Sequence, residues 1–134
     1  MSDGAIELAS CEPASDRCLL FVYGKLQPGH RPPRTASCAR PDRVRGVLYD
    51  LGVYPAAVHV GSAEQWVRGY VVEIDDRELH EELDAYEGVA ERLYRRIRTV
   101  TESGTEVWVY EYARPLPDDA VAIDVWPRSP VGSV

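Results

Sequence analysis

Short apolar runs, each ended by turn-forming residues, limit the fold of this chain more than any other feature of its sequence. Residues 18–23 (Cys-Leu-Leu-Phe-Val-Tyr) have the length and the β-branched and aromatic content of a buried strand, and Gly24 ends the run. Similar strand-length segments follow at 43–50, 56–60 and 66–74. These runs predict a fold built mainly from β-strands.

A hairpin is predicted around Ser103-Gly104, where two runs rich in Val, Thr, Tyr and Trp occupy 94–102 and 105–113. In the second run, residues 107–110 (Val-Trp-Val-Tyr) are apolar on both faces of an extended chain. A strand of this kind needs cover on both sides of its sheet. We interpret it as part of a closed or strongly curved sheet.

A single helix is predicted between the fourth and fifth strands. Asp75 is a typical N-cap residue, and Glu78 follows three residues later, which is the spacing of a capping box. The helix should therefore run over 77–87, with Gly88 as its C-cap. Strands and helix together indicate an α+β fold, which we predict to be a small mixed β-barrel.

The chain of 134 residues is long enough to bury one core without disulfide or metal cross-links, so we predict a single domain over 18–134. Residues 1–17 mix Ser, Gly, Pro and acids and are expected to form a flexible leader. Because this segment is acidic where a signal peptide carries positive charge, we expect a cytoplasmic protein. In the proline-rich tail 115–134, residues 121–126 could add one edge strand.

The charge balance argues against two classes of partner. There are 15 Lys and Arg against 22 Asp and Glu, which gives a net charge of −7, and the basic residues are spread along the chain. A nucleic-acid binder needs a basic face that displaces counterions, so we expect neither nucleic acid nor an anionic membrane surface as a partner. No apolar run approaches the ~18–20 residues that a membrane-spanning helix needs.

Cysteine usage and catalytic motifs narrow the chemistry further. Cys11, Cys18 and Cys38 share no metal-binding spacing, so no metal site is expected. We interpret them as reduced thiols, with a nucleophilic cysteine as the alternative. The sequence contains no Gly-x-Ser-x-Gly elbow and no His-Glu-x-x-His motif, which argues against hydrolase triads and zinc proteases.

The first candidate site is the glycine loop 23–29 (Tyr-Gly-Lys-Leu-Gln-Pro-Gly) at the end of the first strand. Because Gly24 has no side chain, successive backbone N–H groups can converge there on a carboxylate or an oxyanion. The spacing also imitates a Walker loop, but His30 and Arg31 stand where that motif has Lys and Ser or Thr. An ordinary turn is the alternative.

The second candidate is Glu87. Leu79, Leu83 and Tyr86 have the spacing of a buried helical stripe, and Glu87 lies about 40° beyond Leu83, so its carboxylate should face the core side. Asp84 should point elsewhere. Burial and the negative end of the helix dipole would both raise the pKa of Glu87 and suit a general base. Alternatively, Glu87 extends to solvent or pairs with an arginine: Arg92, Arg95 or Arg96.

Tyrosine is the third feature, with eight Tyr against one Phe. Tyr23, Tyr54, Tyr94 and Tyr110 lie within strands or at strand ends and could line one cavity. There a tyrosine provides an apolar wall with a hydroxyl that orients a polar ligand. The alternative is that these tyrosines are core residues whose hydroxyls are satisfied within the protein.

In this order the motifs resemble the γ-glutamylcyclotransferase superfamily, including its AIG2-like and γ-glutamylamine cyclotransferase branch. Residues 23–26 match the family's Tyr-Gly-x-Leu loop, and 46–56 match its Gly-x-Leu-Tyr-Asp-Leu-Gly-x-Tyr-Pro-Ala segment. Residues 83–88 match Leu-Asp-x-x-Glu-Gly, and 94–96 match the Tyr-x-Arg start of the next strand. The resemblance covers about residues 19–113.

The resemblance implies a mixed β-barrel with flanking helices, and an enzyme that needs neither metal nor cofactor. In the family reaction, the α-amine of a small γ-glutamyl substrate attacks its own γ-carbonyl and releases 5-oxoproline and an amine or amino acid. Glu87 would be the general acid/base. The residues expected to bind the substrate are Tyr23, Gly24, Lys25, Leu26, Tyr54, Tyr94 and Tyr110. A non-catalytic domain that binds a small acid on the same fold is the alternative.

This sequence departs from the family pattern at the edge of the expected cavity. Lys25 stands where the family commonly has Ser or Thr, and it either pairs with a substrate carboxylate or points to solvent. Residues 29–33 replace the usual helix start, and 89–93 lengthen the loop after Glu87. These differences bear on which amine the substrate releases.

Overall fold

The computed structural model describes residues 16–127, so nearly all of the expected leader 1–17 lies outside the described residues. One helical segment, α1, covers 76–86 and lies between β5 and β6. The strands are β1 Arg17–Val22, β2 Ser37–Arg45, β3 Val47–Asp50, β4 Pro55–Val58, β5 Trp66–Asp75, β6 Tyr94–Val100, β7 Glu106–Tyr112 and β8 Val121–Ile123.

The strands form two sheets that do not close into a barrel. One sheet has five strands in the order β2-β5-β1-β7-β6, and the other has three in the order β4-β3-β8. β1 and β7 are parallel, and all other pairs are antiparallel. The mixed α+β class is confirmed, but the barrel and the flanking helices are wrong, since α1 is the single helix between residues 16 and 127.

β7 is apolar on both faces because it lies inside a sheet that is covered on both sides. On one face, Tyr110 packs in a cluster with Leu79 of α1. On the opposite face, Val109 packs in a second cluster with Leu48 and Ala57 of the three-stranded sheet. A helix and a second sheet therefore provide the cover that the sequence pattern requires, and no closure is needed.

The segment 43–50, predicted as one strand, is divided at Gly46 between the two sheets. The preceding strand β2 pairs with β5, whereas β3 pairs with β4 and β8. β2 also begins at Ser37, earlier than predicted, because this mostly exposed edge strand has no apolar alternation. In the tail, β8 forms the edge strand expected there, on the free side of β3.

α1 is interrupted by a π-helical turn. Its α-helical turns, Asp76–Glu78 and Asp84–Tyr86, flank the π-helical Leu79–Leu83. The N–H of Asp84 donates to the carbonyl of Leu79, a bond that spans five residues instead of four. Among residues 16–127 no helix is long and apolar enough to cross a membrane.

The π turn changes which residues of α1 face inward. One extra residue in a turn moves every later residue by about 100° relative to a regular α-helix. Leu79 and Leu83 are buried as predicted, but Tyr86 is 45% exposed. Glu87 takes the angular position that a regular helix would give to Tyr86.

The predicted capping box at the start of α1 is wrong, because both acidic side chains have other partners. Asp75 is the N-cap residue but makes no side-chain cap bond. Its carboxylate pairs instead with Arg17 at 2.6 Å. The Glu78 carboxylate accepts the N–H groups of Arg34 and Thr35, at 2.6 and 2.8 Å, and the Thr35 hydroxyl. These bonds attach the loop before β2 to α1.

At the other end of α1, Gly88 ends the helix as predicted. It has a φ of 68°, a conformation that glycine adopts without strain. The N–H groups of Gly88 and Val89 donate to the carbonyls of Ala85 and Asp84, at 3.1 and 3.0 Å. This is a Schellman motif, and it fixes the direction in which the chain leaves the helix just after Glu87.

We expect Glu78→Gln to lower the free energy of unfolding by about 1–3 kcal/mol at neutral pH, because Glu78 is 3% exposed and accepts three hydrogen bonds. Burial raises the pKa of Glu78, but the bonds from Thr35 and Arg34 outweigh it and the net pKa is lowered. The stabilisation is therefore complete above the ordinary carboxyl pKa and is lost as the pH falls through the lowered one.

Urea unfolding at pH 7 and at about pH 3 measures this effect, and the difference between the two proteins should shrink at the lower pH. Glu81→Gln is the control, since Glu81 is exposed on the same helix and should change stability by less than ~0.5 kcal/mol. Equal stability of the wild type and Glu78→Gln at pH 7 would contradict the assignment.

Candidate active site

Three strand ends meet at one edge of the five-stranded sheet. β1 and β7 run parallel, so Tyr23, which follows β1, lies near Tyr110 towards the end of β7. β6 is antiparallel to β7, and its first residue, Tyr94, pairs with Tyr112 at the same edge. The glycine loop leaves the sheet at this point. Sheet topology therefore gathers three of the four tyrosines singled out in the sequence.

A cavity of about 300 Å³ opens at this edge. Every residue predicted from the sequence to form the site lines it: Tyr23, Gly24, Lys25, Leu26, Tyr54, Glu87, Tyr94 and Tyr110. The cavity is also lined by residues that the sequence did not single out as part of the site: Phe21, Val22, Pro55, Tyr86 and Leu93. Tyr86 carries the signal of a helix core residue, and only the π turn redirects it to the cavity.

Close packing of the glycine loop against the cavity wall explains the residue type at position 24. A Cβ atom on Gly24 would lie 2.9 Å from Cγ of Pro55, so any larger residue would displace the loop or the proline. The backbone N–H groups of Gly24, Lys25 and Leu26 have no acceptor within residues 16–127. The loop therefore offers hydrogen-bond donors beside the cavity, as the sequence indicates.

Three of the cavity tyrosines donate hydrogen bonds from their hydroxyl groups to other residues of the protein. Tyr23 donates to the carbonyl of Tyr110, and Tyr94 donates to the carbonyl of Pro55. Tyr110 donates to the carboxylate of Asp84 at 2.7 Å. Burial raises the pKa of all three hydroxyls well above the usual range, so they stay neutral at physiological pH. Their oxygen lone pairs remain available as acceptors.

Asp84 points towards the sheet, so the prediction that it points elsewhere is wrong. The π turn places it one turn above buried Leu79. Its carboxylate accepts two bonds from Arg96, at 2.8 and 3.0 Å, besides the one from Tyr110. Burial raises the pKa of Asp84, but the bonds from Arg96 and Tyr110 outweigh it and the net pKa is lowered. Asp84 is therefore an ionised anchor for Tyr110.

Glu87 has no comparable partner. It is partly buried and lines the cavity, and its carboxylate makes no hydrogen bond or ion pair with any residue of the described chain 16–127. Of the arginines considered as partners, Arg96 binds Asp84 and Arg95 binds Glu111 at 2.9 Å. Burial raises the pKa of Glu87 to about 7. A carboxyl group in this state can take up and return a proton near neutral pH.

Other reactive groups in the described part of the chain offer less. Burial, followed by a hydrogen bond with Asp76, raises the pKa of Cys18 to about 12, so its thiol is protonated and a poor nucleophile. Between residues 16 and 127, no group of three or more His, Cys, Asp and Glu is arranged to hold a metal ion. The cavity thus combines one titratable carboxyl, neutral tyrosines and unpaired backbone donors.

The raised pKa of Glu87 predicts a specific pH dependence of stability. Because folding raises this pKa from 4.5 to about 7, the folded protein binds a proton more tightly, and its stability falls as the pH rises through this interval. Between about pH 5 and pH 8, the wild type should lose about 2–3 kcal/mol of unfolding free energy relative to Glu87→Gln. Urea unfolding of both proteins across this range measures the difference, and parallel curves would refute it.

Comparison with known proteins identifies the family. A family model described as gamma-glutamyl cyclotransferase, AIG2-like, matches residues 20–128. No curated protein sequence is a match for the chain. Among solved structures, an AIG2-like protein from Mus musculus has 18% sequence identity and a TM-score of 0.69, with 84% of this chain and 89% of that chain covered. At this identity the likeness concerns the fold alone.

Two bacterial structures extend the comparison. Protein ytfP from Escherichia coli is 33% identical with a TM-score of 0.58, and the match covers 80% of this chain and 92% of that one. YkqA from Bacillus subtilis is 25% identical with a TM-score of 0.59. The match covers 72% of this chain and 36% of YkqA, so this chain spans about a third of the length of YkqA. With the family model matched over most of the chain, the protein belongs to the gamma-glutamyl cyclotransferase, AIG2-like family.

Proposed function

We propose that the protein is a γ-glutamylcyclotransferase that converts a small γ-glutamyl compound into 5-oxoproline and a free amine or amino acid. Family membership supports the reaction class. The observation that carries the proposal is Glu87, a carboxyl group without a partner in residues 16–127, with a pKa of about 7, in the same cavity as the glycine loop. A carboxyl group whose pKa is raised by burial to about 7 is poorly suited to a structural role and well suited to proton transfer.

The reaction moves protons from the attacking nitrogen to the departing nitrogen. The substrate α-amine is mostly protonated near pH 7 and loses one proton to solvent before it attacks the γ-carbonyl carbon. As the new C–N bond forms, Glu87 accepts a second proton from the attacking nitrogen. Glu87 donates this proton to the departing nitrogen as the original C–N bond breaks, and the released amine takes up another proton from solvent. The ring closes to 5-oxoproline, the leaving amine is released, and Glu87 returns to its starting state.

The glycine loop and the tyrosines bind and orient the substrate in this mechanism. The free N–H groups of Gly24, Lys25 and Leu26 stabilise the negative oxygen that develops on the γ-carbonyl, or the glutamyl carboxylate. One such donor typically contributes a few kcal/mol to transition-state binding. The aromatic walls of Tyr54 and Tyr94, whose ring centroids are 6.2 Å apart, favour the folded-back substrate. Holding reacting groups of one molecule together can contribute ~7–11 kcal/mol.

Replacing Glu87 by Gln should lower kcat by about 10²–10⁴-fold, because glutamine keeps the shape of the side chain but transfers no proton. The assay incubates the protein with a panel of γ-glutamyl amines and γ-glutamyl dipeptides and measures 5-oxoproline by mass. The pH profile of kcat/KM should contain an ionisation near pH 7 that the variant lacks. Glu81→Gln makes the same change at an exposed position of α1 and should leave the rate unaltered.

Two outcomes would count against this proposal. Turnover at the wild-type rate in Glu87→Gln would show that Glu87 is not the general acid/base. Turnover on no member of the panel, combined with thermal stabilisation by 5-oxoproline or glutamate, would favour a non-catalytic domain that binds a small acid.

Lys25 lies at the exposed side of the cavity and has no ion-pair partner within residues 16–127. We propose that its ammonium group pairs with the carboxylate of the leaving amino acid, which extends towards the cavity opening. Lys25→Met should then lower kcat/KM about fivefold more for γ-glutamylalanine than for γ-glutamylethylamine, since an exposed ion pair contributes up to ~1 kcal/mol. Equal losses on the matched substrates would show that the ammonium group points to solvent.

A further inference from the structure

Gln27 is a buried polar residue that the mechanism above does not use. Its side chain is almost completely enclosed, with 5% of the residue exposed. The side-chain nitrogen Nε2 lies 3.0 Å from the carbonyl oxygen of Tyr23 and 3.1 Å from that of Gly24. It also lies 2.7 Å from the carbonyl oxygen of Trp126. One amide group therefore connects two consecutive carbonyls of the glycine loop with a residue near the end of the described chain.

The Gly24 carbonyl also accepts the backbone N–H of Gln27 at 3.0 Å, so the side chain and the backbone of Gln27 together hold the direction of the two peptide groups. The carbonyl of Tyr23 and the N–H of Gly24 belong to one planar peptide group. The carbonyl of Gly24 and the N–H of Lys25 belong to the next. The single cis peptide between residues 16 and 127 is Trp126-Pro127, so both units are trans and carry their C=O and N–H on opposite sides. Because Gln27 holds both carbonyls, the N–H groups of Gly24 and Lys25 point away from Gln27.

Those two N–H groups have no acceptor within residues 16–127, and both residues line the cavity. We propose that Gln27 is a positioning residue, which orients the Gly24 and Lys25 N–H groups to bind the anionic oxygen of the substrate. The inference rests on the proposed function, since a cyclotransferase must stabilise such an oxygen. Gln27 acts through the loop and does not itself line the cavity.

The bond to Trp126 anchors Gln27 from the outside of the loop. Trp126 is 9% exposed and packs in the cluster that also contains Tyr23 and Leu48. A second contact lies nearby, since the rings of Trp126 and His30 have centroids 5.7 Å apart. The loop orientation therefore depends on the segment after β8 as well as on the strand that precedes the loop.

Gln27→Met tests the inference, because methionine has a similar length and no side-chain N–H donor, so the Tyr23 carbonyl loses its bond while the backbone bond to the Gly24 carbonyl remains. We expect kcat/KM to fall about 10- to 10³-fold, mainly through kcat, as when an oxyanion donor is lost. The affinity for 5-oxoproline, measured by calorimetry, should fall at least about tenfold for the same reason. Gln27→Asn, which keeps the donors on a shorter side chain, should recover part of the loss and provides a second variant if Gln27→Met folds poorly.

Thr101→Val is the matched control. Thr101 is also a buried polar residue, 4% exposed, whose hydroxyl oxygen accepts the N–H of Thr105 at 3.1 Å in the β6–β7 turn, outside the cavity lining. It should lower the unfolding temperature without changing kcat or the affinity for 5-oxoproline. A purely structural Gln27 would behave in the same way.

The outcomes separate this inference from the proposed function. Loss of turnover and of 5-oxoproline affinity in Gln27→Met, with Thr101→Val unchanged, supports the inference. Kinetics and affinity of Gln27→Met equal to those of Thr101→Val overturn it and leave the cyclotransferase proposal intact. A wild type that binds 5-oxoproline in a Gln27-dependent way but turns over no γ-glutamyl compound would refute the cyclotransferase and retain Gln27 as the residue that shapes an anion site.

Discussion

The π turn of α1, in which the N–H of Asp84 bonds to the carbonyl of Leu79, determines which side chains of the helix face the cavity. It widens a single turn of α1 by one residue and so resets the direction of everything that follows in the helix. Asp84 is turned to the sheet, Tyr86 to the cavity opening and Glu87 to the cavity itself. π turns of this kind are frequent at functional sites, and here the turn lies directly before the acidic residue that we assign to proton transfer.

The two acids at the end of α1 illustrate how surroundings divide roles between identical functional groups. Asp84 and Glu87 are three residues apart, and both are removed from bulk water. Asp84 accepts bonds from a guanidinium and a phenol, so its pKa is lowered and its charge is permanent. Glu87 has no such donors within the described chain, so burial alone acts and its pKa rises to about 7. The charged Asp84 holds Tyr110 in position, whereas Glu87 can gain and lose a proton near neutral pH.

The sequence carries enough information to name most of the cavity residues but not the architecture that brings them together. Apolar runs, the glycine after β1 and the motif ending in Glu87-Gly88 are local signals, and the elements lie where these signals indicate, except that Gly46 divides the run 43–50 between two strands. The predicted barrel is wrong because the apolar residues on both faces of 107–110 indicate only that both faces are buried. They do not indicate whether a closed barrel or, as here, a helix and a second sheet buries them. The capping box is wrong because Asp75 and Glu78 bind Arg17 and residues 34–35, which are distant in sequence.

The π turn and Gln27 are the features that sequence reasoning could not supply. A π turn leaves no mark in hydrophobic spacing, and the inward direction expected for Glu87 was derived for a regular helix. Gln27 sits in a polar, proline-containing loop, where a surface position is the usual expectation. Its side chain bonds to the carbonyl of Trp126, almost a hundred positions further along the chain. That bond is a tertiary contact, which a linear pattern does not encode.

The parallel pairing of β1 with β7 has a consequence for how the molecule acquires its cavity. Leu20 lies beside Trp108, so the centre of the larger sheet joins segments from near the two extremes of the described chain. Bringing Leu20 and Trp108 together costs conformational entropy before the strand contacts can stabilise the sheet. Folds with many such long-range contacts form slowly. The glycine loop and Tyr110 meet only when that closure is complete. A ribosome-bound chain thus has no cavity until β7 has been synthesised.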